Sequence, residues 1–301
     1  MESRNYPSKV LLFGEYVIIR GSRALAIPYR DFGGHWAFSQ SGAVSPGLEQ
    51  FLSYLESQQR SGQLLTTLAL DRFQEDLSNG LYFESSIPVG YGLGSSGALV
   101  AAVYETYCTR KETQLHLLKP ILAQMESFFH GSSSGVDPLV CLLDKPLLLR
   151  DRQRAEVVEV PERDEAGKGA LFLIDTGISR ETGPLVRIFL SKCEDLTFDA
   201  MVEEELGGLA NAAIQAFLRA DWRVLQPVFD AISQFQWNYF LEMIPASFRD
   251  VWAAGLDSPA YKLKLCGAGG GGFILGITPD LEAAREALHP LGLRLVHQWK
   301  Q

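Results

Sequence analysis

One glycine-rich segment constrains this chain more than any other. It reads PVGYGLGSSG over residues 88–97, follows the strand-like LYFESSIP and runs directly into the apolar ALVAAVYETYC. That order predicts a strand, a glycine loop and a helix. Glycines let a backbone approach an anion closely, and the free N–H groups at a helix start attract phosphate. We therefore expect a phosphate site made by Gly90, Gly92, Leu93, Gly94, Ser95 and Ser96. A tight turn that only allows close helix packing is the structural alternative.

Two acids and a lysine are of the residue types that phosphoryl transfer requires. Glu126 lies in a helix-like stretch, and Asp137 follows it in the loop-like GSSSGVDP. Phosphoryl transfer needs one carboxylate on the metal and one group near the attacking hydroxyl. Lys9, at the entry of the first strand, could stabilise an alkoxide that develops on the substrate. Each of these residues also has a purely structural alternative. Glu126 could be a solvated charge on a helix, Asp137 could form the turn before Pro138, and Lys9 could be an ordinary exposed lysine. His130, at a helix end, is expected to be a hydrogen-bonding cap residue rather than a base.

A second glycine run lies near the end of the chain. Residues 267–272 read GAGGGG between the strand-like LKLC and FILGI. Each glycine gives up much conformational freedom on folding, so such a run predicts close packing or ligand binding. A flexible hairpin is the alternative, although hairpins need fewer glycines.

Composition excludes several classes of function. The net charge of −9 and pI near 5.1 argue against nucleic acid as a partner. Apolar runs are too short to cross a membrane, and the first residues do not resemble a secretory signal. Four widely spaced cysteines predict neither a zinc site nor a disulfide framework, and each is expected to be a small buried side chain. A cytoplasmic protein is the expectation.

The order of elements predicts an α+β chain in two halves, with a boundary between residues 145 and 170. The run KVLLFGEYVIIR predicts two strands joined by a tight turn around Phe13-Gly14-Glu15. The last part predicts strand, strand, helix and strand, in the segments KLKLCGAGG, FILGIT, LEAAREALHPL and LRLVHQW.

Three of these segments together resemble the motif regions of the GHMP kinases. They are KVLLFGEY, PVGYGLGSSGA and CGAGGGGFI, and their order and spacing extend the resemblance from about residue 8 to residue 276. The resemblance implies an ATP-binding N-terminal domain over residues 1–155, similar to ribosomal protein S5 domain 2. It implies a ferredoxin-like C-terminal domain over residues 156–301, with ATP and substrate in a cleft between the two. A homodimer is expected by the same analogy.

Within that family, the segment from Glu126 to Asp137 and the segment SRET at 179–182 are similar to those of the mevalonate kinases. The resemblance implies an enzyme that uses ATP and Mg²⁺ to phosphorylate the primary hydroxyl of mevalonate. It assigns Asp137 and Lys9 to catalysis and Ser96 and Glu126 to the metal. The nucleotide site would also include Gly269 and Gly270, and the substrate site would comprise Glu15, Tyr16, Arg180, Thr182, Gly267 and Ala268.

One position departs from the mevalonate kinase pattern. Tyr16 stands where that pattern usually has histidine after the first-motif glutamate. Phosphomevalonate kinase, a sugar kinase and diphosphomevalonate decarboxylase are therefore alternatives within the superfamily, although the intact CGAGGGG run disfavours the decarboxylase. A ligand sensor without catalysis is the alternative from another class. Whether Asp137 accepts the proton or only orients the hydroxyl is left open, and residues 39–47 are expected to be a shortened loop on the nucleotide side.

Overall fold

The computed structural model of the chain describes residues 4–39 and 46–300. Within these ranges the strands are β1 (Tyr6–Phe13), β2 (Ala24–Phe38), β3 (Leu81–Ser85), β4 (Leu147–Leu149), β5 (Ala155–Val157), β6 (Gly169–Asp175), β7 (Lys262–Leu265), β8 (Phe273–Thr278) and β9 (Leu293–Trp299). The helices are α1 (Pro46–Arg60), α2 (Leu70–Ser78), α3 (Ser95–Tyr107), α4 (Leu115–His130), α5 (Val136–Leu143), α6 (Thr182–Lys192), α7 (Leu196–Met201), α8 (Gly207–Leu218), α9 (Trp222–Tyr239), α10 (Arg249–Asp257) and α11 (Leu281–Ala287). The predicted loop at 39–47 falls mainly on residues 40–45, which lie outside the described residues.

Two sheets organise these elements. The first has the strand order β1-β2-β4-β5, with β3 paired to β2. The strand β2 is antiparallel to β3, with Trp36 opposite Phe83, and antiparallel to β4, with Leu25 opposite Leu148. The second sheet has the order β7-β8-β6-β9, in which neighbouring strands are antiparallel.

The described chain divides into two compact units, each of which is made of several separate segments of the sequence. One comprises residues 4–9, 27–39, 46–88 and 93–145, and the other comprises residues 10–26, 89–92 and 146–300. The domain boundary expected between residues 155 and 156 stays a prediction.

The first unit contains α1 to α5, and its core is rich in aromatic side chains. Trp36, Phe73 and Tyr107 form one cluster, with the ring centroids of Phe73 and Tyr107 4.6 Å apart. The helix α3 is built from small and β-branched residues, and its alanines and valines are buried. Small side chains let α3 come close to α5, and that approach positions the residues described below.

In the second unit, β6 and β8 are central strands and read as nearly continuous apolar runs. Every residue of β8 is buried, as is every residue of β6 except Asp175. Strands with two covered faces lack the polar alternation of a half-exposed sheet. The predicted order of strand, strand, helix and strand at the end of the chain is confirmed in β7, β8, α11 and β9.

The second strand predicted after Gly14 is wrong. Residues 17–20 form a short 3₁₀ helix instead, and the extended chain resumes only at β2. The reason is the backbone around them, because Gly14, Tyr16 and Gly21 have φ angles of 101°, 66° and 92°. These left-handed conformations turn the chain on both sides of the segment, so its β-branched composition does not determine its structure.

All four cysteines are buried, as expected. In the part of the chain that the structure describes, no helix combines the length and apolar character needed to cross a membrane.

The packing of β8 against β6 makes a testable prediction. A Cβ added at Gly276 would overlap the ring of Phe172, which is fully buried. We expect Gly276→Ala to lower the free energy of unfolding by about 1–3 kcal/mol, because a tightly packed core cannot absorb the methyl group. Urea denaturation would measure this. Gly292→Ala is the matched control, since no atom of residues 4–39 or 46–300 outside its own chain neighbours lies within 4 Å of the added Cβ there. Equal unfolding midpoints for the two variants would contradict the packing described.

Candidate active site

The first helix after the glycine loop begins beside a lysine. Gly94 precedes α3 with φ 78°, a left-handed conformation that glycine adopts without strain. The carbonyl of Leu93 accepts a hydrogen bond from the backbone N–H of Lys9 at 2.9 Å. A Cβ on Gly94 would lie 3.2 Å from Cγ of Lys9 and 3.5 Å from Cβ of Asp137. The start of α3 therefore lies directly against the two residues predicted to be catalytic.

Lys9 and Asp137 form an ion pair in the first unit. Their Nζ and Oδ1 atoms are 3.0 Å apart, the lysine side chain is 11% exposed and the aspartate side chain is 30% exposed. Asp137 lies in the first turn of α5, after Gly135. A Cβ on Gly97 would come within 2.8 Å of the Asp137 backbone, so a glycine at this position of α3 allows the two helix starts to meet. The structure thus places an ammonium and a carboxylate together at the end of the glycine loop.

The second acid, Glu126, is buried and accepts hydrogen bonds from two serines. Ser96 Oγ donates to Glu126 Oε1 at 3.0 Å, and Ser133 Oγ donates to Oε2. The pKa of Glu126 is raised from its ordinary value of 4.5 to about 7, first because burial disfavours the charged form and second because Asp137 is negatively charged. The Ser96 hydroxyl is also 2.9 Å from Nε2 of His130.

These groups fit a small divalent cation. A serine hydroxyl and a carboxylate are hard oxygen donors, and a buried carboxylate whose pKa is raised gains most from a nearby positive charge. Among residues 4–39 and 46–300, no group of three or more His, Cys, Asp and Glu side chains is arranged to hold a metal ion by itself. A Mg²⁺ ion with only one or two protein ligands takes its remaining oxygens from phosphate and water, as is usual in kinases.

The predicted substrate residues Arg180 and Thr182 lie in the second unit, with Gly90 and Gly92. The Arg180 backbone N–H donates to Gly90 O at 2.9 Å, and its Nη1 lies 3.3 Å from Thr182 Oγ1. A Cβ at Gly92 would lie 2.3 Å from Arg180 Nη2, and the φ of 72° at Gly92 is a conformation that favours glycine. Arg180 Nη2 also reaches the carbonyl of Cys266 at 3.4 Å. The arginine therefore lies between two of the glycine segments.

The third glycine segment is held by backbone contacts. Gly267, Gly269, Gly270 and Gly272 all have φ between 68° and 79°. The Gly270 N–H donates to Met243 O at 2.6 Å, and the Gly272 N–H donates to Ile178 O at 2.7 Å. These hydrogen bonds explain the glycine run as an ordered turn with a left-handed backbone, rather than as a flexible hairpin.

Glu15 and Tyr16 are also in the second unit, and both side chains are buried. Glu15 Oε1 is 2.5 Å from Lys264 Nζ and accepts a hydrogen bond from Gln236 Nε2 at 2.8 Å. The Tyr16 hydroxyl donates to the carbonyl of Ala268 at 2.6 Å. The predicted residues of the first and third motifs are therefore brought together here.

Four neighbours of the predicted residues lie outside the predicted site. The sequence predicts His130 as a helix cap, yet its ring contacts Ser96, and Ser133 belongs to a segment predicted only as a loop. Glu126 and His130 are four residues apart on α4 and so share one face, which is a signal for this contact. Lys264 stands between two leucines in a strand, and a lysine in such a run needs a buried partner. Gln236 carried no sequence signal.

Two family models match this chain. The N-terminal domain model of the GHMP kinases matches residues 64–145, and the C-terminal model matches residues 213–296. The chain belongs to the GHMP kinase family. The predicted α+β fold with N- and C-terminal GHMP kinase domains is confirmed by these matches, and so is the assignment as an ATP-dependent kinase.

Curated relatives extend the similarity over most of the chain. The mevalonate kinase of Aeropyrum pernix is 26% identical over 308 residues, covering 93% of this chain and 89% of its own. The mevalonate kinase of Pyrococcus abyssi is also 26% identical, over 91% of this chain and 87% of its own.

Solved structures agree at the level of the fold. The L. major mevalonate kinase in complex with R-mevalonate has a TM-score of 0.64 and 15% identity, over 100% of this chain and 97% of its own. The Streptococcus pneumoniae phosphomevalonate kinase has a TM-score of 0.66 and 14% identity, over 100% of both chains. Because both enzymes match equally well, the fold does not select between their substrates.

The raised pKa of Glu126 predicts how stability depends on pH. Between about pH 4.5 and 7 the metal-free folded protein holds a proton that the unfolded chain has lost. Its free energy of unfolding should therefore fall as pH rises through this window, by on the order of 1–3 kcal/mol from this group. Urea denaturation at several pH values would test it by comparing the wild type with Glu126→Gln. The variant should lack this part of the slope, and Glu75→Gln on the exposed side of α2 should retain it. Identical slopes in all three proteins would contradict the assignment.

Proposed function

We propose that this GHMP kinase transfers the γ-phosphoryl group of ATP to the primary hydroxyl of mevalonate in a Mg²⁺-dependent reaction. The observation that carries the proposal is the ion pair of Lys9 and Asp137, 3.0 Å apart at the start of α3. Full-length similarity to relatives named mevalonate kinase supports the choice of acceptor. The segment from Glu126 to Asp137 and the segment SRET support it as well.

The chemistry assigned to the ion pair is deprotonation and charge stabilisation. The acceptor oxygen forms a bond to the γ-phosphorus while the bond from that phosphorus to the β–γ bridging oxygen breaks, leaving ADP. Asp137 orients the acceptor hydroxyl or takes its proton, and the Lys9 ammonium stabilises negative charge on the acceptor oxygen. A carboxylate that already contacts an ammonium is held in one orientation, which lowers the cost of positioning it for the reaction.

Ser96 and Glu126 are the proposed protein ligands of Mg²⁺. When bound, the ion neutralises phosphate charge and helps to align the γ-phosphoryl group. Ser133 and His130 contact these two ligands and hold them in place. The glycine segment from Gly90 to Ser96 is the proposed phosphate cradle, with Gly269 and Gly270 as further nucleotide contacts.

Arg180 and Thr182 are the proposed contacts to the acceptor, with Gly267 and Ala268 beside them. Mevalonate carries a carboxylate, and a guanidinium binds a carboxylate with two parallel hydrogen bonds. The Arg180 guanidinium is already oriented by Thr182 and by the carbonyl of Cys266, so little side-chain entropy remains to be lost on binding.

The first test is the loss of turnover in Asp137→Asn. ADP release with ATP, Mg²⁺ and mevalonate should fall about 10²–10⁴-fold, because the amide cannot accept the proton. Phosphomevalonate, galactose and homoserine are tested as alternative acceptors. If the wild-type enzyme phosphorylated only one of these three, that compound and not mevalonate would be the substrate. Asp257→Asn, at the exposed end of α10, is the control and should keep full activity. Near-normal turnover by folded Asp137→Asn would refute the assigned role, and ATP binding without turnover on any acceptor would favour a sensor.

A second test concerns the acceptor site. Arg180→Gln should raise the KM for mevalonate by about 10-fold or more and leave the KM for ATP within about twofold, because one charge-assisted contact to the carboxylate is lost. Arg187→Gln, on the exposed side of α6, is the matched control. Steady-state kinetics with each substrate varied in turn would measure both constants. A rise in the KM for ATP alone would assign Arg180 to the nucleotide instead.

A further inference from the structure

Glu15, the glutamate of the first motif, forms an ion pair with Lys264 inside the second unit. Lys264 is fully buried, and its ammonium contacts three oxygen atoms: Glu15 Oε1 at 2.5 Å, Leu265 O at 2.6 Å and Leu12 O at 3.0 Å. Three acceptors match the three protons of an ammonium, which removes the cost of burying it unpaired. Glu15 therefore serves as the counter-ion of a buried lysine.

A glutamine extends this contact to the strand before the third motif. Gln236, also fully buried, donates through Nε2 to Glu15 Oε1 at 2.8 Å. Its Oε1 accepts from the backbone N–H of Leu265 at 2.8 Å. Glu15 thus contacts the end of β7 in two ways. It pairs directly with Lys264, and it is connected to Leu265 through Gln236. Its remaining oxygen, Oε2, is buried and makes no hydrogen bond within the described part of the chain.

Tyr16 makes the corresponding contact on the loop itself. Its hydroxyl donates to Ala268 O at 2.6 Å, and its ring lies against Phe189 and Phe240 at centroid distances of 4.7 and 5.1 Å. The side chain is 3% exposed. Its φ of 66° is unfavourable for a residue with a Cβ, so the ring contacts and the hydrogen bond must outweigh that strain.

We propose that Glu15 and Tyr16 are positioning residues that hold β7 and the 267–272 loop in place, and that they do not bind the acceptor. A histidine at position 16 would offer a second polar ring atom, whereas the tyrosine ring is enclosed by aromatic side chains and its one hydroxyl proton is donated to Ala268. The role of the loop in the reaction rests on the proposed function, but the contacts themselves do not.

The experiment compares Tyr16→Phe with a matched tyrosine. Tyr16→Phe retains the ring packing and removes only the hydrogen bond to Ala268. Tyr261→Phe is the control, because the Tyr261 hydroxyl also donates from a buried ring to a backbone carbonyl, that of Val251 at 2.8 Å. Hydrogen–deuterium exchange of the 267–272 peptide is measured in the free protein, and kcat and KM are measured for mevalonate.

We expect exchange in the 267–272 peptide to rise about fivefold in Tyr16→Phe, the change that corresponds to one lost hydrogen bond. The peptide covering α9 should not change. The kcat should fall by about the same factor while the KM for mevalonate stays within about twofold. Tyr261→Phe should alter neither the loop exchange nor kcat. A rise in KM with unchanged loop exchange would make Tyr16 an acceptor ligand and overturn the proposal, as would no change in either quantity.

Glu15→Gln tests the other half of the proposal. The amide keeps the shape of the side chain but removes the charge opposite Lys264, so the same peptide should exchange faster and kcat should fall with little change in KM. A large rise in KM alone would make Glu15 a ligand of the acceptor. The exchange measurement uses no substrate, so it decides on positioning even if mevalonate proves to be the wrong acceptor.

Discussion

The close approach of the α3 and α5 helix starts determines where the charged side chains of the first unit lie. Glycine at 97 leaves room for the Asp137 backbone, and glycine at 94 leaves room for the Lys9 side chain. A methyl group at 97 would overlap the Asp137 backbone, and one at 94 would crowd the Lys9 side chain, whose ammonium contacts the Asp137 carboxylate. The glycines thus act by their small volume as well as by their backbone freedom, and the chemistry depends on both.

The charges that this packing collects are not balanced within the protein. Asp137 has Lys9 as its partner, whereas Glu126 is surrounded by hydroxyls and by the negative charge of Asp137. Burial first, and the negative charge of Asp137 second, raise the pKa of Glu126, and the two serine hydroxyls offset only part of that rise. A divalent cation would reverse this shift. The same imbalance that weakens the metal-free protein above pH 4.5 therefore favours metal binding.

Sequence patterns predicted the parts of this site that local spacing determines. Short segments of the sequence contain the glycine loop with Ser96 and the acids Glu126 and Asp137. The residue types in these segments indicate phosphate binding and phosphoryl transfer. Tyr16 shows the limit, because its left-handed backbone overrides the strand propensity of the residues after it. The contact of Lys264 with Glu15 joins residues almost 250 positions apart, and no local pattern encodes such a partner. His130 lies between these cases, since its spacing from Glu126 was visible but its contact with Ser96 was not.

In the second unit, the glycine run at 267–272 must be held in one conformation despite the conformational freedom of glycine. A run of glycines has more conformations to lose than any other sequence, so its native shape must be imposed by neighbours. Arg180 lies against Gly92 and reaches the carbonyl of Cys266, while Tyr16 holds Ala268 and Lys264 holds the end of β7. Each restraint comes from a side chain outside the glycine run that is itself held by packing or by further hydrogen bonds. The shape of the third motif therefore depends on residues from other segments of the chain, and a change at Tyr16 should affect that motif first.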